Sequence, residues 1–84
     1  MNRIDWAPRA VRQILKLEAA DQKSIRTGVE TLRKFPGCPN IKRLVDQDSQ
    51  YRLRVGRFRV FFDFDGAAHI VHIEQVRQRD EHTY

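Results

Sequence analysis

Two short segments of the chain carry side chains that are suited to chemistry on a phosphodiester. The first, YRLRVGRFRVFF from Tyr51 to Phe62, alternates arginines with apolar residues. The second, RQRDEHTY from Arg77 to Tyr84, brings guanidinium, carboxylate, imidazole and phenol groups together. Guanidinium groups bind phosphate oxygens through paired hydrogen bonds, and an imidazole exchanges a proton near neutral pH. These residue types suit the cleavage of RNA.

In such a cleavage the 2′-hydroxyl of RNA attacks the adjacent 3′-phosphate. A base takes the hydroxyl proton, an acid protonates the leaving 5′-oxygen, and cations stabilise the phosphorane. His82 and Tyr84 are the candidate proton-transfer groups, and Arg77 and Arg79 lie close to them in the sequence. This chemistry needs neither a metal nor a cofactor, and the three histidines lack the spacing to other donors that a metal site requires.

Non-catalytic interpretations fit the same residues. A C-terminal segment of mixed charge is commonly only solvated, and alternating arginines can form the solvated back of a sheet. From the residues alone, binding of nucleic acid or of an acidic protein without catalysis also stays open.

Length and composition indicate one small globular domain over residues 1–84. The chain is 40% hydrophobic and 32% charged, with a formal net charge of +5, which favours anionic partners. Its single cysteine, Cys38, excludes an internal disulfide and fits a reducing cytoplasm. No apolar run approaches the about 18 residues of a membrane span, and the N-terminal residues lack the apolar core of a signal peptide. The sequence therefore predicts a cytoplasmic protein that does not enter membranes.

Periodicity predicts a strand, two helices and three further strands. Pro8 begins a helix that runs to about Ala19 with an apolar stripe at Ala10, Val11, Ile14, Leu15 and Leu17. Asp21 is the expected N-cap of a second helix, Gln22 to about Lys34. The predicted strands are Asn2–Trp6, Tyr51–Val55, Phe58–Phe64 and Ala67–Val76. This order predicts an α+β fold in which an antiparallel helical hairpin covers one face of a mainly antiparallel four-stranded sheet.

Two turns are expected to set the register of the sheet. If Gly56-Arg57 and Asp65-Gly66 are two-residue hairpin turns, residues directly opposite share a face. The face toward the helices then holds Tyr51, Leu53, Val55, Phe58, Val60, Phe62, Val71 and Ile73, with His69 opposite Phe62. The uncovered face holds Arg52, Arg54, Arg59 and His72, with Arg59 opposite His72, while Arg57 lies at the turn. Like charges directly opposite each other are destabilising, which favours a binding role for this face.

The sequence resembles the RelE/ParE superfamily of bacterial type II toxins, and within it the RelE-like mRNA interferases. The resemblance rests on four segments that cover most of the chain: IDWAPRAVRQILKL, NIKRL, YRLRVGRFRVFFDFD and VRQRDEHTY. It implies a toxin that cleaves mRNA in the ribosomal A site, with contacts to ribosomal RNA expected. It also implies a cognate antitoxin that neutralises the toxin.

Individual residues correspond to the functional positions of the family. The resemblance implies phosphate binding by Arg52 and Arg54 and phosphate stabilisation by Arg59, with further RNA contacts from Lys42, Arg43 and His72, of which His72 is expected to orient Arg59. It implies one further arginine, either Arg77 or Arg79. Tyr84 corresponds to a C-terminal tyrosine that stacks on a base or transfers a proton, and His82 lies two places before it.

Two alternatives accompany this resemblance. The ParE branch, which inhibits DNA gyrase and has no RNase activity, shares the pair of strands but usually lacks the arginines and terminal tyrosine. A degenerate member that binds only an antitoxin or RNA is the other alternative.

Overall fold

The structure, a computed structural model, describes residues 1–79, so His82 and Tyr84 lie outside the described residues. The strands are β1 (Arg3–Trp6), β2 (Ile41–Arg43), β3 (Tyr51–Val55), β4 (Phe58–Asp65) and β5 (Ile70–Gln78). The helices are α1 (Pro8–Leu15) and α2 (Ala19–Glu30), which continues into a 3-10 helix (Thr31–Lys34). No helix within residues 1–79 is long and apolar enough to cross a membrane.

The strands form one mixed sheet in the order β1-β5-β4-β3-β2. Only the β1–β5 pair is parallel, and the other three pairs are antiparallel. The predicted α+β class is confirmed, but the sheet has five strands where four were expected. The additional strand, β2, is a three-residue edge strand on β3 whose short length gives no alternation to detect.

The core lies between the helices and one face of the sheet. Its helical side consists of Ala10, Ile14, Ile25, Val29 and Leu32, and its sheet side of Leu53, Phe58, Val60, Phe62, Val71, Ile73 and Val76. Phe35 packs edge-on against Tyr51, Phe62 and Phe64, with ring centroids 4.9, 5.3 and 5.0 Å away. The predicted apolar face of the sheet is thus the face that is buried.

Both helices differ from the prediction at their ends. α1 stops at Leu15, and Glu18, not Asp21, precedes the first turn of α2 as its N-cap. Asp21 lies in that first turn, where a carboxylate still favours the helix dipole, and pairs with Arg57 at 3.7 Å. The apolar stripe of α1 is also wider than its buried face, because Val11 and Leu15 remain 37% and 64% exposed.

Buried Asn2 fixes the N-terminus of the chain to the end of the helical layer. Its side-chain Nδ2 donates to the carbonyl oxygens of Leu32 and Phe35 at 3.1 and 2.9 Å. Its backbone N–H donates to the carbonyl of Arg33 at 2.9 Å. The carbonyls of Arg33 and Phe35 lie where the end of a helix leaves such groups without intrahelical partners, and the Leu32 carbonyl also accepts the Phe35 N–H. The Asn2 bonds hold β1 at its place beside β5.

The two hairpins of the sheet differ in how well the sequence predicted them. The β3–β4 turn at Gly56-Arg57 is confirmed: Arg54 pairs with Arg59, and Gly56 has the φ of +56° that favours glycine. The β4–β5 turn is not the predicted two-residue turn, because Asp65 pairs with Ile70 across a loop formed by residues 66–69.

The side chain of Asp65 explains this longer loop. Its Oδ1 accepts hydrogen bonds from the backbone N–H groups of Ala67 and Ala68 at 3.1 and 3.0 Å, which is an Asx-type turn. His69 completes the loop with a φ of +56° and is exposed, so its predicted place on the apolar face is wrong. His72 pairs with Asp63, and its predicted place opposite Arg59 is also wrong.

We predict that Gly28→Ala destabilises the protein although alanine favours helix by about 1 kcal/mol. A Cβ at Gly28 would lie 2.6 Å from Cγ2 of Val55, so α2 could not keep its distance from β3. Overpacking of this kind costs about 1–3 kcal/mol, and a net loss of about 1 kcal/mol is expected in chemical denaturation.

The control for this prediction is the same glycine change in a Val55→Ala background. In that background the clash is removed, so Gly28→Ala should raise the free energy of unfolding by about the difference in helix propensity between glycine and alanine. Ser24→Ala, at an exposed position of α2, is a reference for a gain that comes from helix propensity alone. Stabilisation by Gly28→Ala in the otherwise unchanged protein would show that α2 and β3 are not in close contact.

Candidate nucleic-acid interface

The face of the sheet opposite the helices carries a group of arginines, called here the open face. Arg54, Arg59 and Arg77 lie directly opposite one another on β3, β4 and β5. Arg52 occupies the next position along β3, with Lys42 opposite it on β2. Since directly paired residues share a face and lie about 4.5–5.5 Å apart, these five cations are close neighbours.

A β-bulge in β5 brings Arg77 to the open face. Phe62 pairs with Ile73, but Phe61 pairs with Gln75, so Glu74 is an extra residue in β5. Side chains alternate between the faces along a strand, and one extra residue reverses the alternation beyond it. As a result Val76 is buried opposite Val60, and Arg77 lies opposite Arg59. One signal for this bulge is present in the sequence, although the predicted register did not use it: the buried apolar positions change phase from Val71 and Ile73 to Val76 across two consecutive polar residues.

Arg52 is one of the partly enclosed cations of the open face. It is only partly exposed, and its Nε is buried with no hydrogen-bond partner among residues 1–79. Burial lowers the pKa of its guanidinium, and the charges of Arg59 and Arg79 lower it further. Arginine nevertheless stays charged in proteins, so the repulsion persists until an anion relieves it.

Within the described part of the chain, no carboxylate pairs with the open-face cations. The ion pairs in residues 1–79 involve Arg3 with Asp5, Arg33 with Glu30 and Arg57 with Asp21. Three arginines in adjacent strands, with no acidic partner in the described part of the chain, are a costly arrangement for a surface that has only to be soluble. The arrangement instead suits phosphate groups, which guanidinium forks match in geometry.

A shallow cavity of about 150 Å³ opens between the arginines of β4 and β5. Its lining residues are Arg59, Phe61, Arg77 and Gln78. Phe61 is half-buried and lies two residues from Arg59 along β4, on the same face of the sheet. An aromatic ring beside guanidinium groups can stack on a base while the cations hold the phosphates. Alternation along β4 places Phe61 on the same face as Arg59, and Phe61 is not among the site residues predicted from the sequence.

The opposite end of the open face has a different character. His72 lies between Asp5 on β1 and Asp63 on β4, and the Asp63 carboxylate accepts the Gln50 backbone N–H at 2.7 Å. Asp63 is four residues along β4 from Arg59, which is about 14 Å at about 3.4 Å per residue. His72 therefore does not contact Arg59, and its expected role in orienting that arginine is wrong.

The remaining predicted site residues divide between the two faces. Arg79 follows β5, donates its N–H to the Arg57 carbonyl at 2.7 Å and influences the pKa of Arg52, so it belongs with the open-face cations. Arg43 lies opposite Tyr51, whose ring packs with Phe35 on the helix side, and is therefore directed away from them. His82 and Tyr84 lie outside the described residues.

Residues 1–79 contain no group of three His, Cys, Asp or Glu side chains that could hold a metal ion.

A comparison with known protein families identifies the class to which this chain belongs. A family profile described as ParE toxin of type II toxin-antitoxin system, parDE, matches residues 4–82, and the chain belongs to that family. It is a toxin of a toxin–antitoxin system, and the predicted membership of the RelE/ParE superfamily is confirmed. A search of curated proteins finds no match.

Solved structures of RelE toxins share the fold. The isolated Escherichia coli RelE toxin matches with a TM-score of 0.81 at 13% identity, covering 99% of this chain and 89% of that one. RelE in the RelE–RelB complex of Pyrococcus horikoshii OT3 matches with 0.77 at 17% identity, covering 95% and 97%. The Mycobacterium tuberculosis toxin–antitoxin complex RelBE2 matches with 0.78 at 18% identity, covering 93% and 98%. These likenesses establish a RelE-like fold.

We predict that Arg59→Gln stabilises the free protein and weakens its response to polyanions. Removing the charge relieves repulsion from Arg54 and Arg77, which should add about 0.2–1 kcal/mol to the free energy of unfolding. A short single-stranded RNA at 100 times its Kd stabilises a protein by about 2.7 kcal/mol, and this gain should fall in the variant.

Thermal unfolding followed by circular dichroism, with and without the RNA, measures both effects. Arg12→Gln is the matched control, because Arg12 is an exposed arginine of α1 on the helical side of the sheet. An Arg59→Gln variant that unfolds at a lower temperature than the unchanged protein would contradict the repulsion argument.

Proposed function

We propose that the chain is an mRNA endoribonuclease of the cytoplasm that cleaves transcripts on the ribosome without a metal. The observation that carries the proposal is the row of Arg54, Arg59 and Arg77 beside the cavity that contains Phe61. Positive charge with no acidic partner among residues 1–79, next to an aromatic ring, suits one nucleotide of RNA and its phosphates.

In the proposed reaction the arginines have distinct roles. Arg52, Arg54 and Lys42 hold the phosphates that flank the scissile bond. Arg59 and Arg77 contact the scissile phosphate, and Phe61 stacks on an adjacent base. The phosphorane carries more negative charge than the substrate, so cations already held together stabilise it more than the substrate. That difference lowers the barrier to attack by the 2′-hydroxyl.

Proton transfer is assigned to the C-terminal residues. We propose His82 and Tyr84 as the acid and base or as a stacking group, with Arg79 as a further cation. A positioned acid and base contribute about 10²–10⁴ in rate. In this proposal the ribosome supplies the extended mRNA, and the basic face also contacts ribosomal RNA.

A second candidate function is inhibition of DNA gyrase. It is favoured by one observation, the match of residues 4–82 to the ParE family profile. Under this alternative the arginines of the open face bind a protein or DNA and cleave nothing. The two functions predict different damage in cells, and a transcript analysis beside a gyrase assay separates them.

We predict that induction of the toxin in cells produces mRNA cuts that primer extension detects only while the message is translated. Arg59→Ala should reduce cutting by about 10²–10³, the loss typical of removing one group that stabilises developing charge. Arg12→Ala should leave cutting unchanged, because Arg12 lies on the helical side of the sheet.

A gyrase supercoiling assay with the purified toxin runs beside the transcript analysis. Intact mRNA together with inhibited supercoiling would establish the gyrase alternative. Retention of full toxicity by both Arg59→Ala and Tyr84→Ala would disprove the site assignment even if mRNA is cut.

We further propose that an antitoxin covers the outer face of α1. A groove of about 230 Å³ is lined by Trp6, Val11, Ile14, Leu15 and Arg26, and two of these apolar residues, Val11 and Leu15, are among the exposed ones. α1 carries basic residues and no acidic ones over its whole length. An amphipathic helix with an apolar stripe and acidic flanks complements such a groove.

The structural neighbours support an antitoxin as the occupant. RelE toxins of this fold occur in complexes with RelB in Pyrococcus horikoshii and Methanococcus jannaschii. The groove lies on the helical side of the sheet, away from the open face. An antitoxin that occupies it leaves the cationic face accessible to a second segment of the same antitoxin.

We predict that Leu15→Glu yields a toxin that still arrests growth but escapes its antitoxin. Leu15 is 64% exposed, so the substitution spares the core and should change stability little. Co-expression with the protein encoded by the adjacent gene should restore growth for the unchanged toxin and not for this variant.

The matched control is Val45→Glu, which places the same charge on a 75% exposed residue in the loop between β2 and β3. Neutralisation of Val45→Glu and Leu15→Glu to the same extent would exclude the groove as an antitoxin site.

A further inference from the structure

β5 extends beyond the strand that pairs with its outer edge. β1 pairs with β5 only as far as Trp6 opposite Ile73, and the Ala7 N–H makes the last backbone bond to the Ile73 carbonyl. β5 continues from there to Gln78 with β4 on its other side alone. The bulge at Glu74 and the site arginine Arg77 both lie in this one-sided part.

Beyond the end of β1, side chains of α1 form hydrogen bonds with the backbone of β5. Oε1 of Gln13 accepts the backbone N–H of Val76 at 2.6 Å. Nε of Arg9 donates to the carbonyl oxygen of Glu74 at 3.5 Å. Both bonds connect residues about one turn apart on the helix to the bulged segment of the strand. α1 thus supplies the donor and the acceptor that a neighbouring strand would otherwise provide.

The Gln13 bond exists in only one register of β5. With the bulge, the Val76 N–H is directed away from β4, toward the outer edge of β5 and Gln13 of α1, and the Val76 side chain is buried. Without the bulge, alternation would turn the Val76 N–H toward β4 and place Gln75 opposite Val60. Arg77 would then lie on the core side of the sheet and Val76 would face solvent opposite Arg59.

We propose that Gln13 is a positioning residue that acts together with the burial of the Val76 side chain to hold β5 in its bulged register, and thereby helps to keep Arg77 and Arg79 on the open face. The inference rests on the proposed function in so far as these arginines bind RNA. The register itself does not depend on that function. Gln13 touches neither arginine and acts only through the backbone of the strand that carries them.

The test compares Gln13→Leu with Gln13→Glu. Leucine has nearly the same size and accepts no hydrogen bond, whereas glutamate keeps an acceptor oxygen for Val76. Nuclear magnetic resonance of each full-length variant gives the exchange rate of the Val76 amide and the cross-strand contacts of Arg59. Gln13→Leu should speed exchange at Val76 and weaken the contact between the Arg59 and Arg77 backbones, and Gln13→Glu should preserve both.

Binding of a short single-stranded RNA, measured against salt concentration, reports whether the arginines are still in place. Each phosphate contact contributes about 0.7 to the slope of log K against log salt for single strands. Gln13→Leu should lower the slope by about 1.4 if both arginines leave the face. Adding Arg77→Gln and Arg79→Gln to Gln13→Leu should then change the slope little further, although the same pair lowers it in the unchanged protein.

The outcomes separate the register from the function. Unchanged Val76 exchange and Arg59–Arg77 contacts in Gln13→Leu would overturn the proposal, whatever the RNA results. A lower unfolding temperature with an unchanged salt slope would also overturn it, since that result shows a purely structural role. If even the unchanged protein binds no RNA, the proposed function fails while the resonance data still decide the register.

Discussion

The burial of one face of the β3–β4 hairpin is the constraint on which the rest of this protein depends. Leu53, Val60 and Phe62 are almost completely buried against the helices, so alternation forces Arg52, Arg54 and Arg59 onto the opposite face. A shift of one residue would bury these arginines, and the desolvation of a guanidinium forbids that shift. The hydrophobic core therefore concentrates positive charge that no local interaction favours.

That charge has opposite effects on stability and on binding. The arginines repel one another, and within residues 1–79 no carboxylate compensates them. The folded protein tolerates the repulsion because its core and the Asn2 and Phe35 contacts stabilise it elsewhere. A bound phosphate attracts each of these guanidinium groups and so offsets their mutual repulsion. This is the physical reason why the open face is a better candidate for function than the surface of the helices.

Several features of the fold and site were predictable because they depend on neighbours in sequence. The β3–β4 register follows from a turn of two residues, and its prediction is confirmed down to the Arg54–Arg59 pair. The β4–β5 register was not predictable in the same way. The Asp65 side chain builds a longer turn, and the bulge at Glu74 reverses the faces, so His72 meets Asp63 and Arg77 meets Arg59. Alternation carries no information about the turn, and the change of phase between Ile73 and Val76 indicates an irregularity without showing which residue of β4 each of them pairs with.

By itself the sequence determined the α+β class, the buried face of the sheet and the side of β3 and β4 on which the arginines lie. These follow from composition, periodicity and a short turn, which are local properties. Only the tertiary structure decided which residues of β5 join the arginines. That choice depends on a hydrogen bond between Gln13 and Val76, which are 63 residues apart, and on the point where β1 ends. Such a contact forms only when the helix, the edge strand and the bulged strand have already packed together.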